Sequence, residues 1–269
     1  MTARNIDEVV DGLAAIVRDA YMAADRAGYF AALYRQVTVE VRTAIHNGLF
    51  DDGARMDRFD TLFGNRYFDA HDAWLRDRGG PRCWRTAFET LSDPGTIIVQ
   101  HLVLGVNAHI NLDLAIAAAD TCPGADIHTL RRDFLLINDI LARVVLAVQK
   151  AVDEVSPYLW LLDRFGGRTD ERVLDFSIRR ARQEAWHNAV LLAGQSGAER
   201  ETTIELLDVR TAVLARLIAR PESLLRAAVE LIRSAERTDV PSVITRLDHA
   251  LDRMTTSPGD APAPGFGPS

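Results

Sequence analysis

Residues 95–119 constrain the fold most, because this run of twenty-five residues reads GTIIVQHLVLGVNAHINLDLAIAAA and carries one acid, Asp113, and no lysine or arginine. Such a run is long enough to span a bilayer. Gln100 and Asp113 would then lie at membrane depth, where an acid costs about 2.5–3.5 kcal/mol. A helix buried on all sides within a helical bundle explains the apolarity at lower cost. We therefore expect a buried central helix and no membrane partner.

The rest of the chain also has the period of amphipathic helices, since apolar residues recur at intervals of three and four. The first helix follows an Asn5-x-x-Glu8 capping box. Further helical segments are predicted at 28–48, 53–78, 82–92, 95–121, 127–154, 169–195, 199–219, 221–235 and 240–254. Because no alternating run predicts a strand, the fold class is all-α. We expect a single bundle of about eight to ten helices around helix 95–121.

Two changes in composition suggest where the domain ends. Residues 255–269, TTSPGDAPAPGFGPS, hold four prolines and three glycines and little to bury, which predicts a disordered tail. Residues 1–254 then form one helical domain. The alternative is a core of residues 1–195 with a separate helical module at 199–254.

Charge and cysteine usage narrow the functional class. The net charge of −7 argues against a nucleic-acid partner, whose binding requires cations that neutralise phosphates. The N-terminal residues MTARNIDEVVDGLAAIV contain acids every few positions, unlike a signal peptide. Two cysteines cannot form a disulfide framework, which is typical of a reduced, cytoplasmic chain. We expect a small-molecule substrate; the oligomeric state is not predicted.

The central helix carries polar residues in an ordered pattern. At about 100° per residue, His109 and Asp113 lie on one face about 40° apart, and His101 lies about 80° from His109. Asn107 and Asn111 form a second pair on the nearly opposite face. Because buried polar groups need partners, side chains from neighbouring helices should converge on this helix.

Several neighbouring segments supply such side chains on otherwise apolar faces. The candidate substrate-binding residues are Asn65, Arg66, Asn107, Asn111, Asn138, Arg182, Trp84 and Trp186, and Asp69 is a candidate catalytic acid. Gly105 lies about 40° from His109 and one turn earlier, which allows two interpretations. It is either a close helix crossing or the floor of a pocket walled by Trp74, Trp84 and Trp186.

Four segments resemble an uncharacterised bacterial family of helical proteins that is known only as a domain of unknown function. The segments are GNRYFDAHDAW (64–74), CWRTAFE (83–89), QHLVLGVNAHINLDLAIAAA (100–119) and FSIRRARQEAW (176–186). The string Asn-Ala-His-Ile-Asn-x-Asp, residues 107–113, is the most specific of them. The resemblance covers roughly residues 28–192 and implies no particular reaction.

A second arrangement, Leu104-Gly105 followed by His109-x-x-x-Asp113, is similar to one metal-binding helix of the zinc-dependent phospholipase C and P1-type nuclease family. In that family, His and Asp present two ligands to one cation. Here Leu114-Ala115-Ile116 follows the aspartate in place of a second histidine cluster. The resemblance therefore leaves one metal ion, or none, as open options.

Three functional hypotheses follow. The first is a metal-assisted hydrolase in which His109 and Asp113 bind one divalent ion, zinc or iron, with His101 or Asp69 completing the site. The second is metal-free acid–base chemistry on a small, largely apolar metabolite, in which His109 carries the proton and Asp113 tunes it. The third is a non-catalytic helical protein whose polar residues fix the packing or line a binding pocket.

Overall fold

The computed structural model describes residues 1–159, 161–162, 171–237 and 239–252, with the side chains of 171–177 and 223–224 left out. These parts contain α-helices and short helical turns and no strand, which confirms the all-α prediction. The α-helices are α1 (Ile6–Ala23), α2 (Ala27–His46), α3 (Gly53–Asp77), α4 (Arg82–Glu89), α5 (Ile98–Ala108), α6 (Leu114–Thr121), α7 (Arg131–Asp153), α8 (Glu171–Ala193), α9 (Gly197–Ala219), α10 (Ser223–Ala235) and α11 (Val240–Asp248).

The last described helices pack onto the same core as the first. Leu207 and Ala215 of α9 and Val243 and Leu247 of α11 belong to the hydrophobic cluster that includes α1 to α7. Helix α10 instead buries Val229 and Ile232 against Ile97, in a small second cluster. The predicted tail at 255–269 lies outside the described residues, so the domain boundary stays a prediction.

Helix α4 begins without a local side-chain cap, because Pro81 precedes it. Its first two backbone N–H groups, of Arg82 and Cys83, donate to the carboxylate of Asp208 on α9 at 2.8 and 2.9 Å. An acid at this position satisfies two orphan donors and complements the helix dipole. The contact fixes the start of α4. Trp84 lies in the first turn of this helix and is buried in the core.

The central helix is continuous from Ile98 to Thr121, and its middle turn, His109–Asp113, is a π-helix between α5 and α6. The backbone N–H of Leu114 donates to the carbonyl of His109, five residues earlier. The sequence predicted an uninterrupted α-helix here. The helix is long and apolar enough to cross a membrane, but 83% of its most apolar window is buried inside the bundle.

Gly105 on α5 lies directly against α2. A Cβ atom at this position would come within 2.4 Å of the ring of Phe30, closer than side-chain atoms approach one another. Of the two interpretations from the sequence, the structure therefore favours the close helix crossing. This crossing brings the aromatic residues of α2 next to the π turn.

Candidate functional site

The candidate site is built around an ion-pair-like contact within the π turn. His109 Nδ1 lies 3.1 Å from Asp113 Oδ2, and both side chains are almost completely buried. The sequence predicted this pair from the spacing of four residues. Short π segments are frequent at functional sites because they change the direction in which side chains point.

Two neighbouring helices hold the carboxylate of Asp113. The indole Nε1 of Trp84, on α4, donates to Asp113 Oδ2 at 2.8 Å. The guanidinium of Arg66, on α3, donates through Nε to Asp113 Oδ1 at 3.3 Å. Arg66 remains partly exposed, so it reaches from solvent to a fully buried acid. Both residues were predicted from the sequence, and the structure brings both to Asp113.

Aromatic side chains surround the imidazole of His109. Phe63 stacks on it with ring centroids 3.6 Å apart, and Tyr34 meets it edge-on at 4.4 Å. Phe30 and Trp84 lie further out, at 5.8 and 6.1 Å. The packing leaves His109 Nε2 and the hydroxyl of Tyr34 buried, and neither has a hydrogen-bond partner within the residues that the structure describes.

Asp60, on α3, is a buried acid that the sequence reasoning did not single out. Its Oδ2 atom is buried and has no partner among the described side chains and backbone. Burial, with a smaller contribution from Asp57, raises the pKa of Asp60 to about 7. Its position one turn from Met56 and from Phe63, on the apolar face of α3, was the available signal.

Burial also sets the proton affinity of the two rings at the site. Desolvation lowers the pKa of His109, and the nearby Asp113 carboxylate opposes this only in part, so the imidazole is neutral near pH 7. Desolvation, reinforced by the charges of Asp60 and Asp113, raises the pKa of Tyr34 well above its ordinary value. The phenol therefore stays protonated near pH 7, and its O–H group can act as a hydrogen-bond donor.

Three predicted site residues have structural partners instead. The side chain of Asn65 pairs with the backbone of Ala3, accepting from its N–H at 2.7 Å and donating to its carbonyl at 2.9 Å. Asn111 donates to Asn107 at 3.0 Å, and Asn107 donates to the Thr211 carbonyl of α9 at 3.1 Å. These amides fasten the N-terminus and α9 to the bundle.

Asp69 was predicted as a catalytic acid and does not join the site. It lies one turn after Arg66 on α3, but it is exposed to solvent. The periodicity of α3 placed it at the flank of the apolar face, and the packing leaves that flank in water. The structure does not bring Asp69 to the His109 site, and its assignment as a catalytic residue stays a prediction.

Asn138, Arg182 and Trp186 form a second cluster instead of lining the pocket with Trp84. The guanidinium of Arg182 lies 4.4 Å from the ring centroid of Phe134, and Trp186 lies 5.1 Å from the same ring. Arg182 Nε donates to Asn138 Oδ1 at 2.7 Å. Trp84 and Trp186, which were predicted to line one pocket, therefore lie in two different clusters, because Trp186 of α8 packs against Phe134 of α7.

His101 lies eight residues before His109 on the central helix, and the two rings are not in contact. Its ring meets Tyr29 at 5.8 Å, and its Nδ1 lies 3.4 Å from the Thr90 hydroxyl. Burial, assisted by the charge of Arg26, lowers its pKa to about 3. It also lines a cavity of about 20 Å³ with Gly105 and Trp84, room for about one water molecule.

The predicted metal ligands do not form a metal site in the described residues. No group of three histidine, cysteine, aspartate or glutamate side chains there is arranged to hold an ion. The two members that meet, His109 and Asp113, already bond to each other, and Trp84 and Arg66 occupy the carboxylate. A divalent ion would have to displace these contacts.

Comparison with known proteins places the chain in a family. Residues 6–221 match DUF5995, a family of unknown function. The chain belongs to this family. The matched range includes every residue of the His109 site and ends at the start of α10. Neither the curated proteins nor the solved structures contain a match, so the similarity to the phospholipase C and P1-type nuclease family finds no support there.

Proposed function

We propose that this DUF5995 protein is an enzyme that performs metal-free acid–base chemistry on a small, largely apolar molecule, with His109 as the proton carrier. The observation that carries the proposal is the His109–Asp113 contact with its unpartnered Nε2 atom. An imidazole that is oriented through one nitrogen and has no hydrogen-bond partner at the other is the usual arrangement of a general base.

Asp113 determines which nitrogen of His109 carries the proton. The carboxylate already accepts the indole N–H of Trp84, and it forms an ion pair with the Arg66 guanidinium. The neutral imidazole then donates from Nδ1 to Asp113, which leaves the lone pair of Nε2 free to accept a proton. Trp84 and Arg66 act as positioning residues for this pair.

Tyr34 supplies a second polar group at the same place. Its ring contacts that of His109, and its buried hydroxyl forms no hydrogen bond of normal geometry in the described part of the chain, with Thr38 as a polar neighbour. A phenol that keeps its proton can donate to an oxygen on which negative charge develops. Together, Nε2 of His109 and the hydroxyl of Tyr34 offer one acceptor and one donor to a ligand within an aromatic surround.

Helix α3 forms the side of the site closest to solvent. Phe63 and Arg66 are both partly buried, and they contact His109 and Asp113, respectively. A ligand that enters between them would reach Nε2 after displacing the ring of Phe63 from the imidazole. An aromatic ring in this place favours an apolar ligand over a highly charged one.

A metal-assisted hydrolase receives less support from the same geometry. His109 Nδ1, Trp84 and Arg66 already occupy the carboxylate of Asp113, so only Nε2 of His109 remains to bind an ion. The described residues bring no third ligand to the pair. The acid–base hypothesis needs only the free nitrogen that the structure already contains.

The proposal is tested by incubating the purified full-length chain with a pool of small metabolites in deuterium oxide. Mass spectrometry then records which compounds are consumed or gain deuterium. We expect at least one such compound with the wild type and with His101→Gln, a change at a second buried histidine. His109→Gln should abolish the change in that compound.

Equal turnover or deuterium exchange by His109→Gln and wild type would contradict the proposal, as would a pool without any His109-dependent change. Nitrogen NMR of the free protein gives an independent check. We expect the proton of His109 on Nδ1 at pH 7, and a proton on Nε2 would remove the proposed base.

A further inference from the structure

Arg182, on α8, is a buried cation in an uncharged environment. Its residue is 3% exposed, less than any other arginine in the described parts of the chain. The groups that it contacts there are the amide of Asn138, the backbone carbonyl of Phe134 and the ring of Phe134. No carboxylate among the described residues forms an ion pair with it.

Other partly buried arginines differ from Arg182 in this respect. Arg55 donates to Asp133 at 2.7 Å, and Arg35 makes two bonds to Asp248 at 2.6 and 2.7 Å. A buried charge without a counter-charge is costly, and burial lowers the pKa of Arg182 to about 9. No carboxylate among the described residues offsets the free-energy cost of burying the Arg182 charge.

The bonds that Arg182 does make leave one end of its guanidinium available. Nε donates to Asn138 at 2.7 Å and Nη2 donates to the Phe134 carbonyl at 2.6 Å, so the edge that these two atoms share is used. Nη1 has no hydrogen-bond partner in the residues that the structure describes. The N–H groups at this end match the spacing of two carboxylate oxygens.

We propose that Arg182 binds the carboxylate of a small organic acid, whose apolar body packs against Phe134 and Trp186. Asn138 is a positioning residue, because it holds the guanidinium plane through Nε. This site goes beyond the proposed function, since carboxylate binding at Arg182 does not require proton transfer at His109. A single guanidinium over one aromatic ring fits a monocarboxylate better than a phosphate, which usually meets several donors.

The test measures binding to the full-length chain by calorimetry with matched pairs of probes. The acids are phenylacetate, indole-3-acetate and octanoate, and each is compared with the alcohol that has the same carbon skeleton. Inorganic phosphate and acetate serve as anions without an apolar body. We expect at least one of the three acids to bind at least tenfold more tightly than its alcohol, phosphate or acetate.

Two variants of Arg182 and one control assign the binding. Arg182→Met should reduce the affinity for that acid at least tenfold and should leave the Tm unchanged or raise it, because it removes an uncompensated buried cation. Arg182→Lys keeps the charge but loses the planar fork, so it should also weaken binding. Arg180→Met, at an exposed position on the same helix, should bind like the wild type.

Three results would overturn the proposal. The first is that none of the acids binds the wild type more tightly than its alcohol. The second is that phosphate binds as tightly as the best acid. The third is that Arg182→Lys binds that acid as tightly as the wild type, which would remain informative if Arg182→Met failed to fold.

Discussion

Two buried aspartates, Asp133 on α7 and Asp113 in the π turn, differ in the kind of residue that each one binds. Asp133 accepts from the backbone N–H groups of Asp51 and Asp52 at 2.8 and 3.2 Å and from Arg55 at 2.7 Å. Asp113 also has three partners, which are Trp84, Arg66 and His109. Both acids are 0% exposed.

The difference lies in the residues that bind the two carboxylates. The partners of Asp133 include the backbone that leads into α3, so its role is to fasten the start of that helix. The partner His109 of Asp113 has a second nitrogen that is buried and unpaired. Arg55, the partner of Asp133, also has a buried nitrogen without a partner, its Nε, so burial, ion pairing and an unpaired neighbour are common to both acids. The two differ in chemistry, because Arg55 Nε carries a hydrogen and can only donate, whereas Nε2 of a neutral imidazole can accept a proton.

The largest effect on stability is expected for Asp133→Ala. This change leaves Arg55 and two backbone N–H groups without their acceptor, which should lower the free energy of unfolding by about 3–5 kcal/mol. Urea unfolding at pH 7 measures it, with Asp139→Ala, an exposed acid on the same helix, as the control. A loss below about 1 kcal/mol would break the comparison, because Asp133 would then not be needed for the fold.

Asp60 extends the comparison to an acid whose Oδ2 has no partner in the described residues. Burial raises the pKa of Asp60 in the folded chain to about 7. Between about pH 4 and pH 7, Asp60 is therefore ionised in the unfolded chain but still protonated in the folded one. Asp60 accordingly destabilises the folded state more and more as the pH rises through this range. Asp60→Asn should therefore stabilise the protein more at pH 7.5 than at pH 5, by on the order of 2–3 kcal/mol.

Urea unfolding of wild type and Asp60→Asn at the two pH values checks this sign. The buried histidines His101 and His109 have lowered pKa values, so below pH 6.5 the unfolded chain binds protons before the folded one and the free energy of unfolding falls. They are present in both proteins and largely cancel in the difference. A gain that is equal at the two pH values would show that Asp60 titrates normally.

The smallest effect on stability is expected for Asp113→Asn. The amide keeps the shape of the side chain and can still accept from Trp84, so the loss should be about 1–2 kcal/mol, less than for Asp133→Ala. Turnover of any compound found with the wild type should fall at least a hundredfold, because Asp113 orients the base. Thermal unfolding and the same deuterium assay measure the two effects.

The exposed Asp69→Asn provides the matched control on α3 and should change neither stability nor turnover. A variant Asp113→Asn with full turnover and a large drop in Tm would assign Asp113 to the same structural class as Asp133. It would leave His109 without its proposed orienting group.

The sequence allowed the helices and the central pair of residues to be predicted, because both depend on local spacing. Asn5 caps α1 as predicted, with its side chain accepting from the Glu8 N–H at 2.9 Å. The Glu8 carboxylate accepts from the backbone N–H of Arg4 and not from that of Asn5, so the box is only half formed. The i,i+4 spacing placed His109 beside Asp113 even though the turn is π-helical. Arg66 was singled out because it interrupts an apolar face, and Trp84 because we expected it to form a wall of a pocket beside Gly105.

Other predicted site residues lie away from His109, because an apolar face does not say which neighbour it will meet. Asn65 and Asn107 each lie on such a face and turned out to hold the backbone of Ala3 and Thr211. Asp69 lies at the edge of its face and is exposed, whereas Asp60 lies within the same face and was overlooked.

The sequence by itself determined that this protein is a bundle of helices around one apolar helix, since helical periodicity and caps act over three or four residues. Only the tertiary structure decided which polar groups meet. Asp208 caps α4, and α4 in turn carries Trp84 to Asp113, through contacts between residues that are distant in sequence. The π turn and the unpaired Nε2 of His109 likewise depend on how the surrounding helices pack, which no local pattern encodes.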